Sequence, residues 1–387
     1  MTDIRVLILT DHSFSPPGGA ERYANTIVKE LLKVGVDVYA LNMKNVKENI
    51  NYFYNPSLEK YIKDYLLKIK PDVAQLSVLN PQYAYLSMTV LRRYRIPYIT
   101  TVHSYAHICP TEFFVRLPGL TPCKKPYPNL HCMKCLISKA KLVRITKYIS
   151  RLVGGMIYNM NVYRKFLKDS YLTISPSKMY AKLLSEYSIN VVHMWHPLKI
   201  PDLSLTSKCG DGGSVIFVGR HEWEKGVHIV LGLAKRLRNV KFKIVGKGRL
   251  THWLLSHRLP NIVYYGFVSD LKKYKLIAES SVVIVPSIWC DIFNYVVSEA
   301  LALAKPVVAF DLCGPKEQIE CSKGGLLATS FNINDFVSKV RYLLENPNEA
   351  KKLGVKGKQW VRKNLTPNRY VKKLMKIYDH AMEGKRV

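Results

Sequence analysis

Acidic residues are scarce in this chain. Its 387 residues include 28 Asp and Glu against 59 Lys and Arg, so the formal net charge is +31 at pH 7. Such a field attracts anionic partners: nucleic acid, lipid headgroups or phosphorylated small molecules. The imbalance is strongest between residues 113 and 182, where Asp169 is the only acid. This stretch is either a solvated lysine-rich face or a surface that meets an anionic partner.

Long hydrophobic runs and a secretory signal are also lacking. No run of eighteen or more apolar residues occurs, so we expect no membrane-spanning helix. The opening MTDIRVLILT lacks the basic start and long apolar core of a signal peptide and predicts a strand. These features predict a cytoplasmic protein. Internal repeats and low-complexity tracts are missing too, and the length favours two globular domains.

Strand and helix patterns alternate along the chain, which is typical of parallel, doubly wound sheets. We expect a Rossmann-like domain at residues 1–200, interrupted by a Cys- and Pro-containing insertion at 105–136. A polar linker at 201–213 leads to a second Rossmann-like domain at 214–366. The last segment, 367–387, predicts a helix that returns to the first domain. The expected fold class is α/β, with two parallel sheets facing across a cleft.

A charged turn follows the first strand of the second domain. It reads GRHEWEKG and carries Arg220 and Lys225 between a strand and a helix start. Helix N-termini favour anions, and Arg offers a fork of donors to phosphate oxygens. The alternative is an exposed turn with incidental charges. Gly246-Lys247-Gly248, after the next strand, is a weaker signal of the same kind.

Two carboxylates follow a later strand of this domain. Asp291 lies in the loop and Glu299 eight residues on, in the helix. Carboxylates accept hydrogen bonds from vicinal hydroxyls, which sugars offer. The alternative is that an acid in the first turns of a helix complements the helix dipole. Together with the cations, these acids suggest a nucleotide-sugar site.

The combined motifs resemble the retaining glycosyltransferases of family 4, which have the GT-B fold. They occur in family order over most of the chain: Gly18-Gly19-Ala20-Glu21, Ser175-Pro176-Ser177, Phe217-Val218-Gly219-Arg220 with Lys225-Gly226, Gly246-Lys247-Gly248, Tyr265-Gly266-Phe267-Val268, Val285-Pro286-Ser287, Asp291 to Glu299 with Ala300, Lys305-Pro306-Val307-Val308, and Gly314 with Glu317. The resemblance implies a UDP- or GDP-sugar donor and no cofactor for catalysis.

The resemblance also implies roles for individual residues. Arg220 and Lys225 would hold the donor diphosphate, Glu299 the ribose, and Asp291 the hydroxyls of the transferred sugar. The family usually has Glu where this chain has Asp291, so we expect sugar specificity to be decided there. The remaining donor-binding residues that it implies are Gly18, Gly19, Gly246, Val268, Phe293 and Asn294.

His103 ends the fourth predicted strand, in register with a family His that contacts the transferred sugar. A satisfied structural histidine is the alternative. Retention would need no protein nucleophile if the leaving phosphate accepts the acceptor's proton, because positioning and charge stabilisation then suffice. The site would therefore use His103, Arg220, Lys225 and Asp291.

Four cysteines cluster in the insertion: Cys109, Cys123, Cys132 and Cys135. Their single C-x-x-C indicates structural zinc, with disulfides or free thiols as alternatives. Cys209, Cys290, Cys313 and Cys321 are scattered. A bound zinc would pin the insertion and take no part in chemistry.

The stretch 137–168 predicts a long basic amphipathic helix. Its apolar stripe either packs on its own domain or lies on a membrane. The basic face suits anionic lipid at the inner face of the cell membrane and a lipid-linked or glycan acceptor. Other GT-B reactions, by a nucleotide-sugar epimerase or a phosphorylase, are alternatives. A nucleic-acid-binding protein would explain the charge alone, but no nucleic-acid motif supports it.

Overall fold

The computed structural model describes residues 4–11, 18–43, 56–77, 81–117, 121–123, 130–142, 160–199, 213–257 and 259–384. The predicted linker at 201–213, except for its last residue, lies outside these ranges. So does the middle of the helix predicted at 137–168, from residue 143 to residue 159, which carries most of the apolar stripe.

The chain divides into two compact units. The N-terminal unit comprises residues 1–112, 125–197 and 367–387, and the C-terminal unit comprises 113–124 and 198–366. Residues 113–124 of the predicted insertion therefore belong to the C-terminal unit, although the whole insertion was expected in the first domain. Residues 113–124 join the C-terminal unit because Cys290 N donates to Phe113 O over 2.8 Å, and the Phe113 ring packs edge-on against Trp289.

The elements are numbered in chain order within the described ranges. The strands are β1 Arg5–Thr10, β2 Asp37–Asn42, β3 Val73–Ser77, β4 Tyr98–Thr101, β5 Val115–Arg116, β6 Thr121–Pro122, β7 Leu172–Ser175, β8 Val191–His193, β9 Val215–Val218, β10 Phe242–Val245, β11 Ile262–Gly266, β12 Val282–Val285, β13 Val307–Phe310 and β14 Gly325–Ala328. The helices are α1 Gly19–Lys33, α2 Pro56–Ile69, α3 Pro81–Arg93, α4 Leu130–Leu142, α5 at 160–169, α6 Lys178–Ser185, α7 Val227–Arg236, α8 Thr251–Ser256, α9 Asp270–Glu279, α10 Tyr295–Ala302, α11 Cys313–Ser322, α12 Ile333–Glu345, α13 Pro347–Asn364 and α14 Pro367–Met382.

Each unit is built on one six-stranded sheet with parallel pairings. The strand order is β2-β1-β3-β4-β7-β8 in the N-terminal unit and β11-β10-β9-β12-β13-β14 in the C-terminal unit. The strands β3, β4, β12 and β13 are buried along their whole length, as in sheets covered by helices on both faces. The two parallel, helix-covered sheets predicted from the sequence are confirmed.

The last helix, α14, packs into the core of the N-terminal unit. Leu374 on this helix is fully buried in the hydrophobic core, together with apolar side chains of strands β1, β3 and β7. Tyr23 OH is 2.8 Å from Tyr370 OH, and Gln75 Nε2 donates to Tyr23 OH over 2.7 Å. Burial raises the pKa of Tyr23 to about 12, so this network is neutral. Tyr378 OH donates to Gln75 Oε1 and completes it.

Within the described ranges, no helix combines the length and apolarity that a membrane span needs.

Candidate functional site

The turn with Arg220 and Lys225 lies at the carboxyl end of β9, the strand beside β12. A 3-10 turn, Trp223–Lys225, leads through Gly226 into α7. Gly226 has φ +71°, and a Cβ there would overlap the carbonyl oxygen of Pro286. Glycine therefore lets the turn lie directly against the end of β12. This approach places Lys225 beside the loop that carries Asp291.

Lys225 and Asp291 form an ion pair at this edge of the sheet. Lys225 Nζ donates to Asp291 Oδ1 over 2.6 Å, and the two side chains are only 20% and 6% exposed. Asp291 also accepts from three neighbours: Trp289 Nε1 at 2.6 Å, Ser287 Oγ at 3.1 Å and Asn294 Nδ2 at 3.0 Å. A carboxylate offers about four lone-pair sites. Protein donors therefore occupy the acceptor sites of Asp291.

Arg220 is the more accessible cation of the turn. Its side chain is 56% exposed, and its Nη2 lies 3.1 Å from Glu224 Oε1. A surface ion pair of this kind contributes little to stability, so a phosphate can compete for the guanidinium. Arg220 and Lys225 thus differ: one is open to solvent, and the other is held in place.

The glycines after β10 bring the ends of β9 and β10 together. Gly246 has φ +135°, and a Cβ there would overlap the carbonyl oxygen of Gly219. His221 lies against Gly246 and is only 1% exposed, and burial lowers its pKa to about 4. Val268 is half-buried in the connection between β11 and α9. These positions border the same carboxyl edge as the charged turn.

Glu299, on α10, is buried beside a second cation. Its carboxylate is 1% exposed, Lys273 Nζ donates to its Oε1 over 2.8 Å, and Tyr274 OH donates to the same oxygen over 3.3 Å. Lys273 also lies 3.0 Å from Asp270 Oδ1. Burying a carboxylate is costly unless it is paired and hydrogen-bonded in this way. The two predicted acids therefore have separate partners, Lys225 for Asp291 and Lys273 for Glu299.

Asn294 links the loop to two helices. Its Oδ1 accepts from Val297 N at the start of α10, and its backbone is bonded in both directions to the Gln318 side chain of α11. The neighbouring Phe293 is half-buried and packs edge-on against Tyr295. The conformation of the Asp291 loop is thus fixed from both sides.

A disulfide between Cys290 and Cys313 closes the same loop. Both cysteines are buried, and Gly314 N donates to Asp291 O over 2.8 Å. In the sequence these two cysteines are scattered, and no motif pairs them. Their separation of 23 residues, across α10 and β13, carries no local signal.

The predicted residues of the N-terminal unit lie at the carboxyl edge of its own sheet. Gly18 caps α1 in an extended conformation, and Gly19 is the first residue of α1. His103 follows β4, with its Nε2 2.7 Å from Ser77 Oγ. Its ring packs 5.2 Å from those of Tyr23 and His196. His103 is thereby held in one orientation at the strand end.

The clustered cysteines of the insertion are described, with Cys109 and Cys135 buried and Cys123 and Cys132 half-buried. In the part of the chain that the structure describes, no group of three or more His, Cys, Asp or Glu residues is placed to hold a metal ion. The zinc site stays a prediction.

Comparison with known proteins identifies the domain around the charged turn. Residues 208–360 match the family model described as Glycosyl transferases group 1. The matched residues lie within the C-terminal unit. An uncharacterised glycosyltransferase of Methanocaldococcus jannaschii is 30% identical over 178 residues, which is 45% of this chain. The match spans 50% of that relative's length.

Solved structures extend the likeness to the whole fold. Sucrose-phosphate synthase from Thermosynechococcus elongatus superposes with a TM-score of 0.75 at 14% identity, covering 99% of this chain and 100% of that one. HepE of Anabaena, in complex with UDP-glucose, superposes with a TM-score of 0.67 at 16% identity, covering 96% and 99%. The expected resemblance to glycosyltransferases with the GT-B fold is confirmed. Membership of family 4 and retention stay predictions.

Two residues of this site, Trp289 and Lys273, are not predictable from the sequence. Trp289 lies two positions before Asp291, where an aromatic residue in a loop gives no signal of a bond to a carboxylate. Lys273 follows Lys272 in a helix rich in lysine, which predicts a solvated face. Its burial is decided by the neighbouring α10, so only the tertiary structure shows it.

Proposed function

We propose that this protein is a retaining glycosyltransferase. It transfers a sugar from a UDP- or GDP-sugar to a lipid-linked or glycan acceptor at the cytoplasmic face of the cell membrane. One observation carries the proposal: the group 1 domain places Arg220 and Lys225 at a helix start, with Lys225 paired to Asp291 of the loop that follows a neighbouring strand. HepE, which shares the fold, binds UDP-glucose.

The charged turn suits a diphosphate leaving group. The start of α7 presents backbone amides to an anion, Arg220 adds a fork of donors and Lys225 a held point charge. Negative charge develops on the diphosphate as the glycosidic bond breaks, and donors already in place stabilise it. Glu299, paired with Lys273, supplies the carboxylate for ribose hydroxyls. No metal takes part in this chemistry.

Retention follows from a front-face route in this proposal. The acceptor hydroxyl attacks on the side from which the diphosphate leaves, and a phosphate oxygen takes its proton. His103, fixed by Ser77, contacts the transferred sugar. The glycine pair Gly18 and Gly19 allows a ligand to approach the backbone before α1.

A membrane-facing acceptor is supported by charge on the N-terminal unit. Exposed lysines occur on α4, α5 and α6: Lys134, Lys165, Lys168, Lys178 and Lys182. Each basic residue near an anionic leaflet contributes about 1 kcal/mol to binding. Vesicle flotation tests this part. The protein should float with phosphatidylglycerol vesicles and remain unbound with phosphatidylcholine vesicles, and equal behaviour would remove the membrane from the proposal.

A thermal-shift screen against UDP-, GDP- and ADP-sugars tests the donor site. At least one nucleotide-sugar should stabilise the wild type, and Glu299→Ala should reduce that shift. Glu345→Ala, at an exposed position on α12, is the matched control and should keep it. If none of the nucleotide-sugars stabilises the chain, the proposed function fails.

Transfer chemistry is tested with the stabilising donor and a polyprenyl-phosphate-linked glycan. The product should keep the anomeric configuration of the donor, as read from NMR coupling constants. An inverted product would contradict retention. Consumption of the donor without any transfer product would favour a different GT-B reaction.

A further inference from the structure

Trp289 contacts the Lys225 ammonium group both directly and through Asp291. Lys225 Nζ lies 4.6 Å from the centroid of the Trp289 ring. Trp289 Nε1 donates to Asp291 Oδ1, the same oxygen that accepts from Lys225 Nζ, each over 2.6 Å. An aromatic ring attracts a cation, most strongly where water is excluded. One ring and one carboxylate oxygen therefore hold the ammonium together.

Trp289 is itself held in place. The Phe113 ring packs edge-on against it, with centroids 5.8 Å apart. The next residue, Cys290, donates its backbone N–H to Phe113 O and is tied to Cys313 by the disulfide. These contacts fix the Trp289 backbone and one edge of its ring. The ring is therefore a rigid support for Lys225.

The contacts of Asp291 leave its carboxylate little capacity for a ligand. Donors from Lys225, Trp289, Ser287 and Asn294 occupy it, and its side chain is 6% exposed. Lys225 retains capacity, because an ammonium carries three N–H donors and this bond uses one. A flexible lysine loses rotamer freedom when it binds an anion, and prior positioning reduces that loss. The arrangement suits a lysine prepared for a phosphate.

We propose that Trp289 is a positioning residue, and that Trp289 and Asp291 together hold Lys225 for the donor diphosphate. Asp291 then acts through Lys225 and does not accept hydrogen bonds from the transferred sugar. This inference rests on the proposed function, since it takes the ligand of Lys225 to be a diphosphate. It differs from the role that the family resemblance implies for Asp291.

The test uses inorganic pyrophosphate, which carries neither base nor sugar, and the nucleotide-sugar that stabilises the wild type most. Dissociation constants are measured by calorimetry on the full chain, with melting curves as a check of folding. Trp289→Leu should weaken pyrophosphate binding about tenfold, or about 1.4 kcal/mol. Trp289→Phe keeps an aromatic ring beside Lys225 but loses the N–H that bonds Asp291. It should therefore weaken pyrophosphate binding less, by about threefold, a change comparable to one aromatic–cation contact. Asp291→Asn should weaken pyrophosphate and nucleotide-sugar by the same factor.

Two comparisons separate positioning from general damage. Trp253→Leu, on α8 where the ring is 37% exposed, should change binding less than twofold, within what surface substitutions do. In a Lys225→Met background, Trp289→Leu should add almost nothing, because the group that it positions is gone.

Other outcomes overturn the inference. Equal effects of Trp289→Leu in both backgrounds would show that it acts independently of Lys225. In a second such outcome, Asp291→Asn weakens nucleotide-sugar binding and leaves pyrophosphate binding unchanged. That result would show that Asp291 contacts the transferred sugar, and the inference would be wrong. If the wild type binds pyrophosphate but none of the nucleotide-sugars, the proposed function is wrong. The effect of Trp289→Leu on pyrophosphate binding can then still be compared between the wild-type and Lys225→Met backgrounds.

Discussion

Cys290 and Cys313 are joined by a disulfide that closes a segment containing the Asp291 loop, α10 and β13. The two Cα atoms lie 5.2 Å apart, and both side chains are buried. Next to the bond, Gly314 N donates to Asp291 O. The bond therefore fastens the loop with Trp289 and Asp291 to the first residue of α11.

Removing this bond should destabilise the C-terminal unit. A cross-link spanning 23 residues restricts the unfolded chain, and loop-closure entropy gives a contribution of about 3 kcal/mol. We expect Cys290→Ser with Cys313→Ser to lower the denaturation midpoint, and a reductant to have the same effect on the wild type. Cys321→Ser, at an exposed position, is the control. Identical midpoints with and without reductant would contradict the prediction.

Gly226→Ala should destabilise the fold, whereas Gly232→Ala should not. A methyl group at Gly226 would overlap the carbonyl oxygen of Pro286 at a positive φ, so we expect a loss of about 1–3 kcal/mol. At Gly232, inside α7, the methyl would meet only Arg236 Nη1 at 3.6 Å. Because alanine favours a helix more than glycine does, Gly232→Ala should stabilise the protein by about 0.5–1 kcal/mol. Urea denaturation of both variants measures the difference. Equal losses would refute the close approach at Gly226.

The fold could be predicted from the sequence largely because most strands of the two six-stranded sheets are short apolar runs. Runs such as 282–285 are buried on both faces, and the helices between strands keep their own period. The place of residues 113–124 could not be predicted. It depends on contacts of Phe113 with Trp289 and Cys290, which are far along the chain and leave no periodic trace.

The site could be predicted as a set of residues, but its pairings could not. Family motifs pointed to Lys225, Asp291 and Glu299. The structure adds that Lys225 forms an ion pair with Asp291, and that Lys273 forms one with Glu299. These bonds span 66 and 26 positions, so each depends on how neighbouring strands and helices meet. The four cysteines of the insertion are close together in the sequence, whereas the two that form the disulfide are 23 residues apart and outside that cluster.

Leu374→Ala should destabilise the N-terminal unit by about 2–5 kcal/mol. Leu374 lies on α14, is fully buried and belongs to the core that includes β1, β3 and β7. Lys376→Ala, two positions on and exposed, should stay within about 0.5 kcal/mol of the wild type. Equal stability of the two variants in thermal denaturation would mean that α14 does not support this core.

Acid should destabilise the N-terminal unit through His107. The ring is 4% exposed, and burial lowers its pKa to about 4. The unfolded chain binds a proton near pH 6.5 and the folded chain does so only near pH 4, so stability falls as pH falls through that window. Between pH 7 and pH 5 this histidine should account for a loss of about 2 kcal/mol.

The variant His107→Gln isolates that contribution, because glutamine does not titrate and can still bond to Tyr180 OH, which lies 2.9 Å from His107 Nδ1. Between pH 6.5 and pH 4, its free energy of unfolding should depend less steeply on pH than that of the wild type. The difference in slope should correspond to at most one proton taken up on unfolding. Urea denaturation at half-unit steps of pH gives both slopes. Parallel slopes for the two proteins would mean that His107 takes up its proton equally well in the folded chain.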